Sequence, residues 1–366
     1  MNFSKSIKIS AIILVLIFIL SASRVAIYFG LFESKPTIVD EEIQITEVAD
    51  GLGQPTCLDW ISSEWLLVCD THMDSILALQ LVEGEFTEPK TIITDLINPH
   101  GVVLWENYEK TMSKLFVSQT GKLESWNISG GDSPDKWELD KPEIVIGGIE
   151  RGIHQQNGII KTPENNLIWH SGSTCNLCDE IDNRSATLIE IDPETGNYSI
   201  IATGVRNSFD GVWVPDIGYI FTDNGHDWGG DIFPPEEINL LEKGGFYGWP
   251  NTSSNNPIPI GSIPSIGNYT PHSSVNGIDL RPENSTLPGG KNTLYATVFG
   301  SWNTVIPVGK EIIRIDLVND STHPQGWGVE ITVIIENLGT PLSLRFHPDG
   351  DLYFSDYSKG ILYKVE

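Results

Sequence analysis

GVWVPDIGYIFTDNG, residues 211–225, decides the fold. An apolar strand runs into a Pro-Asp turn, a second apolar strand returns, and the phrase closes on an acidic residue and glycine. Alternating apolar residues on both sides of a turn read as a β-hairpin. Working outward, the phrase recurs as CLDWISSEWLLVCD from Cys57, GVVLWENYEKTMSKLFVSQTG from Gly101 and GIIKTPENNLIWHSG from Gly158. It returns as GIDLRPENSTLPGGKNTLYATVFG from Gly277 and LSLRFHPDGDLYFSD from Leu342. The six starts lie 44, 57, 53, 66 and 65 residues apart, which is blade-like spacing. About 55 residues per repeat suffice for four strands. The last repeat has three evident strands, ending in GILYKVE, while an unclaimed strand, EIQITEV, begins at Glu42. Pairing the two ends removes exposed edges. The expected fold is all-β, a six-bladed β-propeller closed by its N- and C-terminal strands.

Composition agrees. Among 366 residues are 35 Gly, 22 Pro, 11 Trp, 10 Tyr and 13 Phe, a turn-rich and aromatic chain unsuited to disorder or a helical bundle. The net charge is −27; the first 35 residues carry +3, leaving −30 on the rest. That acidity excludes nucleic acid as a partner, because phosphate binding needs a concentrated basic face.

Residues Ile9–Ser23 form an uncharged apolar run behind Lys5 and Lys8, continued by VAIYFGLF beyond Arg24. Two readings stay open, a cleaved signal peptide with small residues at Ser21-Ala22-Ser23 or an uncleaved anchor helix, and length favours the anchor. Either way, residues 1–35 are expected as cytoplasmic flank plus hydrophobic helix, and residues 36–366 as a propeller outside the membrane or secreted. Seven N-x-[ST] sequons, at Asn127, Asn183, Asn197, Asn251, Asn268, Asn284 and Asn319, fit an exported glycoprotein. The cysteines number four. Cys175 and Cys178 suit a short loop disulfide better than zinc, which wants four ligands. Cys57 and Cys69 flank one hairpin turn and can pair across it.

The repeat also places residues in space. Within a hairpin, residues entering strand one and leaving strand two emerge on the same face of the disc. There gather His100, His154, Arg206, Asn207, His226, Asp227, His272 and Trp302; six of the eight histidines lie in or beside these segments. Polar loops alone explain any one of them; they explain the set less well, because the opposite turns lack histidine except His347.

At these segments the chain resembles the quinoprotein sugar dehydrogenases of the glucose/sorbosone dehydrogenase type, most closely the sorbosone-dehydrogenase-like branch. The matching strings are TGVRNSFDGVW, TDNGHDWGGDIFPPEEIN, GGFYGWPN, PHSSVNGID, FGSWN and the closing PLSLRFHPDGDLYFSDYSKGILYKV, with SGSTCNLCDEIDNRSATLIEID marking the branch. The resemblance implies a six-bladed propeller holding pyrroloquinoline quinone (PQQ) and calcium on one face, and oxidation of an aldose or sugar aldehyde with electrons passed to an external acceptor. By position it makes His154 the general base and sets Arg206, with Asn207, beside the quinone. His100, Asn224 and Trp302 are further cofactor contacts, and the main-chain carbonyls of Gly225 and His226 face calcium. Gly300-Ser301 stands where glucose-oxidising members carry a lysine, Thr340 where an arginine often leads the last repeat, and Ser173 where a carboxylate can orient the base. The shortage of cations on that face favours one alternative, a non-catalytic cell-surface propeller binding glycan or protein; another on the same fold is a calcium-dependent lactone hydrolase, which needs an axial acidic cluster.

Overall fold

A computed structural model describes residues 12, 13, 15, 16, 18, 19, 35–39 and 43–366. The expected N-terminal hydrophobic helix lies outside the described residues apart from six positions. Among the described residues, no helix is long and apolar enough to cross a membrane. The chain divides into two compact units, residues 1–36 and 37–366.

The larger unit is built almost wholly of strands, arranged in six separate sheets. Each sheet opens with an inner strand: Pro55–Trp60, Pro99–Glu106, Gln156–Lys161, Gly211–Val214, Val275–Leu280 and Pro341–Phe346. Each inner strand touches the next, and the last touches the first, so the sheets close as six blades around an axis. Blades are numbered 1 to 6 in that order. Blade 6 gains its fourth strand from the other end of the chain, Ile45–Ala49 pairing antiparallel with Ile361–Val365. This is the closure expected from the missing strand. An unexpected addition is Thr37–Ile38, which extends blade 5 by pairing with Trp327–Glu336.

Register fixes the face. The inner strands begin opposite the ends of their second strands: Pro55 pairs with Asp70, Pro99 with Gln119, Gln156 with Ser171, Gly211 with Phe221, Val275 with Val298 and Pro341 with Asp356. Entering and leaving loops therefore share one face of the disc. In five of these six hairpins a register shift follows the first pair, as in Pro99/Gly101 and Gln156/Ile159. Such bulges re-aim side chains at a rim.

The acidic residue that closes the repeated phrase has a structural task. Asp70 accepts backbone N–H groups from Gln54 and His72; Asp223 accepts those of Arg206 and Asn207. Asp356 accepts those of Ser358 and Lys359. In blades 1 and 6 the entering chain passes so close that Gly53 and Gly339 have no room for a Cβ, which would lie 2.2 Å and 2.1 Å from carboxylate oxygens of Asp70 and Asp356.

The core is divided into wedges between neighbouring blades. Trp105, Phe116, Trp169 and Ile189, for example, fill the space between blades 2 and 3. Truncating one such buried leucine or isoleucine costs about 2–5 kcal/mol, and a large aromatic about 3–5 kcal/mol. Both disulfides form: Cys57–Cys69 joins register partners at a Cα separation of 5.0 Å, and Cys175–Cys178 spans 6.1 Å. On the axis, Arg345 of blade 6 reaches Asp210, which leads blade 4, in a bidentate ion pair at 2.6 and 3.0 Å. Blade 5 lies between them, and Arg345 Nη1 also donates to its Ile278 carbonyl at 3.3 Å, so one guanidinium ties three blades together.

Candidate functional site

The entering loops of blades 3, 4 and 5 and the leaving loops of blades 4 and 5 enclose a cavity of about 380 Å³. His154, Arg206, Asn207, Asn224, Gly225 and Trp302 all line it. A second cavity of about 360 Å³ shares the wall formed by Arg206, Asn224 and Gly225 and is lined further by His226, Glu237 and Trp249. Each is large enough for a small organic ligand. His100 is placed elsewhere, in a narrow pocket of about 10 Å³ above the axial pair, with Thr56, Phe209 and Arg345.

His154 is the best-defined group. Its Nδ1 lies 3.2 Å from the Ser173 carbonyl and 2.7 Å from Ser173 Oγ. A carbonyl only accepts, so Nδ1 carries the proton and donates; Ser173 Oγ in turn donates to the Cys175 carbonyl at 2.8 Å. The serine thus takes the orienting role that a carboxylate can play, without adding charge. Nε2 is left with its lone pair on a residue that lines the cavity. Burial, reinforced by the Arg206 charge, lowers the imidazole to about 3. His154 is therefore neutral, and able to accept a proton, throughout the physiological range.

Arg206 is buried, at 3% exposure, and tightly held. Nη2 donates to Asn176 Oδ1 at 2.7 Å and to Asp227 Oδ2 at 3.1 Å, Nη1 to the Asn224 carbonyl at 3.1 Å, and Nε to the Asn176 carbonyl at 3.1 Å. Four of its five N–H groups are committed, leaving one on Nη1. Burial lowers its pKa from the ordinary value, opposed by the nearby carboxylates. Its backbone is fixed through Asp223, whose own carboxyl is pushed up to about 7 by desolvation. Asn207 Oδ1 receives Asn157 Nδ2 at 3.0 Å, tying blade 4's entrance to blade 3.

Glu236 stitches the remaining wall, accepting from Gly225 N and Ser274 N, both at 2.9 Å, while burial raises it to about 7. His272 Nε2 donates to the carbonyls of Gly230 and Phe233, at 2.8 and 3.0 Å, so it serves as a loop clamp. Sequence reading missed Asn176, Glu236, Ser274 and Asn303. Only Asn176 carried a local signal, its place inside a Cys-x-x-Cys loop.

The wall between the cavities offers hard oxygen atoms. Asn224 is 4% exposed and its Oδ1 has no partner, while its Nδ2 donates to Asn276 Oδ1 at 2.8 Å. Among the described residues, no hydrogen bond is donated to the carbonyls of Gly225 or His226. Calcium takes such carbonyl and amide oxygens. Beside Gly300 runs Lys310, whose Cγ would lie 2.8 Å from a Cβ there, but it lines neither cavity. The oxygens of Asn224, Gly225 and His226 fit a calcium ion, and Arg206 fits an anionic planar cofactor. The axial carboxylates fit a metal poorly: Asp210 faces Arg345, and burial raises Asp59 and Asp279 to about 6.

No protein-family model matches the chain. An uncharacterized protein of Borreliella burgdorferi (strain ATCC 35210 / DSM 4680 / CIP 102532 / B31) is 26% identical over 294 residues, covering 75% of this chain and 77% of that protein. Solved structures with the same fold include a calcium structure of a Trichoderma reesei carbohydrate-active enzyme of family AA12. That structure has a TM-score of 0.76 and 17% identity, covering 90% of this chain and 96% of that one. The holo form of the pyranose dehydrogenase PQQ domain from Coprinopsis cinerea gives 0.73 and 15%, covering 91% and 97%. The apo soluble aldose sugar dehydrogenase of Escherichia coli gives 0.67 and 18%, covering 88% and 99%. At these identities the likeness is one of fold.

Proposed function

We propose that the chain is a quinoprotein sugar dehydrogenase of the glucose/sorbosone type, close to the sorbosone-like branch, that oxidises an aldose or a sugar aldehyde. The observation that carries this reading is that His154, held through Nδ1 by Ser173, lines one cavity together with a buried arginine. Hydride removal from a carbinol carbon requires a base on its hydroxyl, and a neutral imidazole provides one.

PQQ would lie against Arg206, Asn207 and Trp302, with calcium on Asn224 Oδ1 and the Gly225 and His226 carbonyls; when bound, they supply the hydride acceptor and its Lewis acid. His154 takes the substrate's hydroxyl proton at Nε2, and Ser173 keeps Nδ1 protonated throughout. Arg206 holds a fixed positive charge where negative charge develops, in a buried setting that strengthens it. Asp227, which lines the same cavity, moderates that charge 3.1 Å from Nη2. Trp302, 70% exposed at the mouth, offers an apolar face to a ring. The lactone-hydrolase alternative is disfavoured by Arg345, which already neutralises the axial carboxylates.

Two formed disulfides support an oxidising compartment. We place the propeller outside the membrane, held by the N-terminal segment or released by its cleavage, with an external electron acceptor. The test is to purify the full chain in detergent, add calcium and PQQ, and record the cofactor's absorbance and its bleaching by a panel of aldoses and sugar aldehydes. Bound quinone bleached by sugar is the expected result. A chain that acquires no quinone absorbance overturns the reading in favour of a surface-binding propeller.

A further inference from the structure

The loop that leaves the second strand of blade 3 touches both halves of the site. Ser173 fixes His154, and its backbone N–H donates to the Arg206 carbonyl at 2.8 Å. Three residues on, Asn176 supplies two acceptors. Its side-chain oxygen receives Arg206 Nη2 at 2.7 Å and the backbone N–H of Asp227 at 2.8 Å. Its carbonyl receives Arg206 Nε and Trp249 Nε1, both at 3.1 Å. One residue therefore takes half of the bonds that hold the guanidinium, and it also ties down the loop carrying the opposing carboxylate Asp227. The Cys175–Cys178 bond closes around it, so Asn176 cannot swing away without carrying the whole short loop.

We propose that Asn176, clamped by the Cys175–Cys178 disulfide, is the positioning residue that aims Arg206 into the cavity and sets its placement relative to His154. An arginine side chain has ample rotamer freedom, and three carboxylates compete for this one: Asp223, Asp227 and Glu236. Without the Asn176 acceptors, the guanidinium is free to collapse onto them and away from a ligand. The part of this inference that concerns quinone rests on the proposed function; the part that concerns the grip on Arg206 and Asp227 does not.

The experiment uses the full chain and three variants, Asn176→Ala, Asn176→Asp and the double variant Cys175→Ser/Cys178→Ser. Hydrogen exchange of peptides covering residues 223–229, without quinone, reads the Asp227 amide; tryptophan quenching reads the dissociation constant for PQQ. A lost hydrogen bond to a charged group corresponds to about a tenfold change or more. Asn176→Ala should speed Asp227 exchange and weaken PQQ by about that factor. Asn176→Asp, which keeps the acceptor but adds a negative charge beside Arg206, should restore the slow exchange, and the double serine variant should behave like Asn176→Ala. Unchanged exchange in Asn176→Ala, equally fast exchange in Ala and Asp, or full protection in the double serine variant each overturns the proposal. If the wild-type chain binds no PQQ, the proposed function fails while the exchange result still decides the grip on Arg206.

Discussion

His154→Ala is the substitution on which the mechanism turns. A positioned general base contributes roughly 10²–10⁴ in rate, and most when its pKa lies near the working pH. Here burial and Arg206 hold the imidazole at about 3, a weak base at pH 7. The expected loss in turnover therefore falls in the lower half of that range, about 10²–10³, equivalent to about 2.7–4.1 kcal/mol of barrier. Quinone affinity should stay within about threefold, because a neutral imidazole leaves no buried charge uncompensated when removed. The assay is single-turnover reduction of bound quinone by an aldose, followed by absorbance, alongside a fluorescence titration of PQQ. The pH profile adds a second check. With its proton lost near pH 3, His154 gives no acid limb between pH 4 and 8, whereas an unperturbed imidazole would give one near 6.5. Wild-type turnover in fully loaded His154→Ala refutes the assignment of the base, and an acid limb near 6.5 refutes the electrostatics.

Four further outcomes follow from the same geometry. His170 is buried, its ring nitrogens 2.7 Å from Ser208 Oγ and Tyr219 Oη, and lowered to about 3 by burial and Arg345. A depressed folded pKa gives stability that is present above 6.5 and lost as pH falls toward 3. The wild-type advantage in Tm over His170→Gln should thus shrink as pH drops from 6.5 to 4, by up to about 1.36 kcal/mol per pH unit; an advantage constant with pH contradicts this. The comparison is differential because Asp59, Asp223, Glu236, Glu237 and Asp279, all raised by desolvation, act in the opposite direction. Arg345→Met should cost about 3–5 kcal/mol in urea unfolding, since it strands Asp210 on the axis; a loss below about 1 kcal/mol would show that the pair holds nothing. Cys57→Ser/Cys69→Ser should cost about 2–4 kcal/mol with unchanged PQQ affinity, because the bridge lies within one hairpin of blade 1. Asp223→Ala and Asp70→Ala each remove the acceptor of two backbone N–H groups, so both should destabilise by about 1–3 kcal/mol, but only Asp223→Ala should also weaken PQQ binding in titration.

The fold was legible because hairpin periodicity is local: each repeat carries its own alternation and its own turn, and six copies leave little freedom. Closure was legible as well, since blade 6 lacked a strand and EIQITEV lacked a partner. Thr37–Ile38 was not, because two residues carry no period and their pairing is decided by the distant edge of blade 5. Of the candidate site residues, Arg206 and Asn207 stood out by their place at the mouths of strands and Asn224 through the family resemblance, and all three line one cavity. His100 shares that place but turns toward the axis, where it packs edge-on to Phe209. Position along the repeat fixes which face a residue reaches, not how far from the axis its side chain points.

The repeat explains why chemistry can concentrate in one sector of a ring with near-sixfold construction. Blades 1, 4 and 6 end their second strand on a buried aspartate that gathers backbone N–H groups, a device needed for the fold alone. In blade 4 the two N–H groups belong to Arg206 and Asn207, so the fold anchor also aims a cation and an amide at the cavity. The leaving loop there runs from Asn224 to Pro235 before the third strand begins at Glu236, whereas in blade 1 the third strand starts at Ser75, shortly after Asp70. That longer loop brings Asp227 against Arg206 and gives the cavity its wall at Gly225, held by Glu236 through the backbone N–H. Blade 3 contributes His154 and the disulfide loop from the neighbouring position. Long leaving loops on three adjacent blades, 3, 4 and 5, thus turn a structural anchor into a charged, oriented pocket, and blades 1, 2 and 6, with short leaving loops, are left to carry stability.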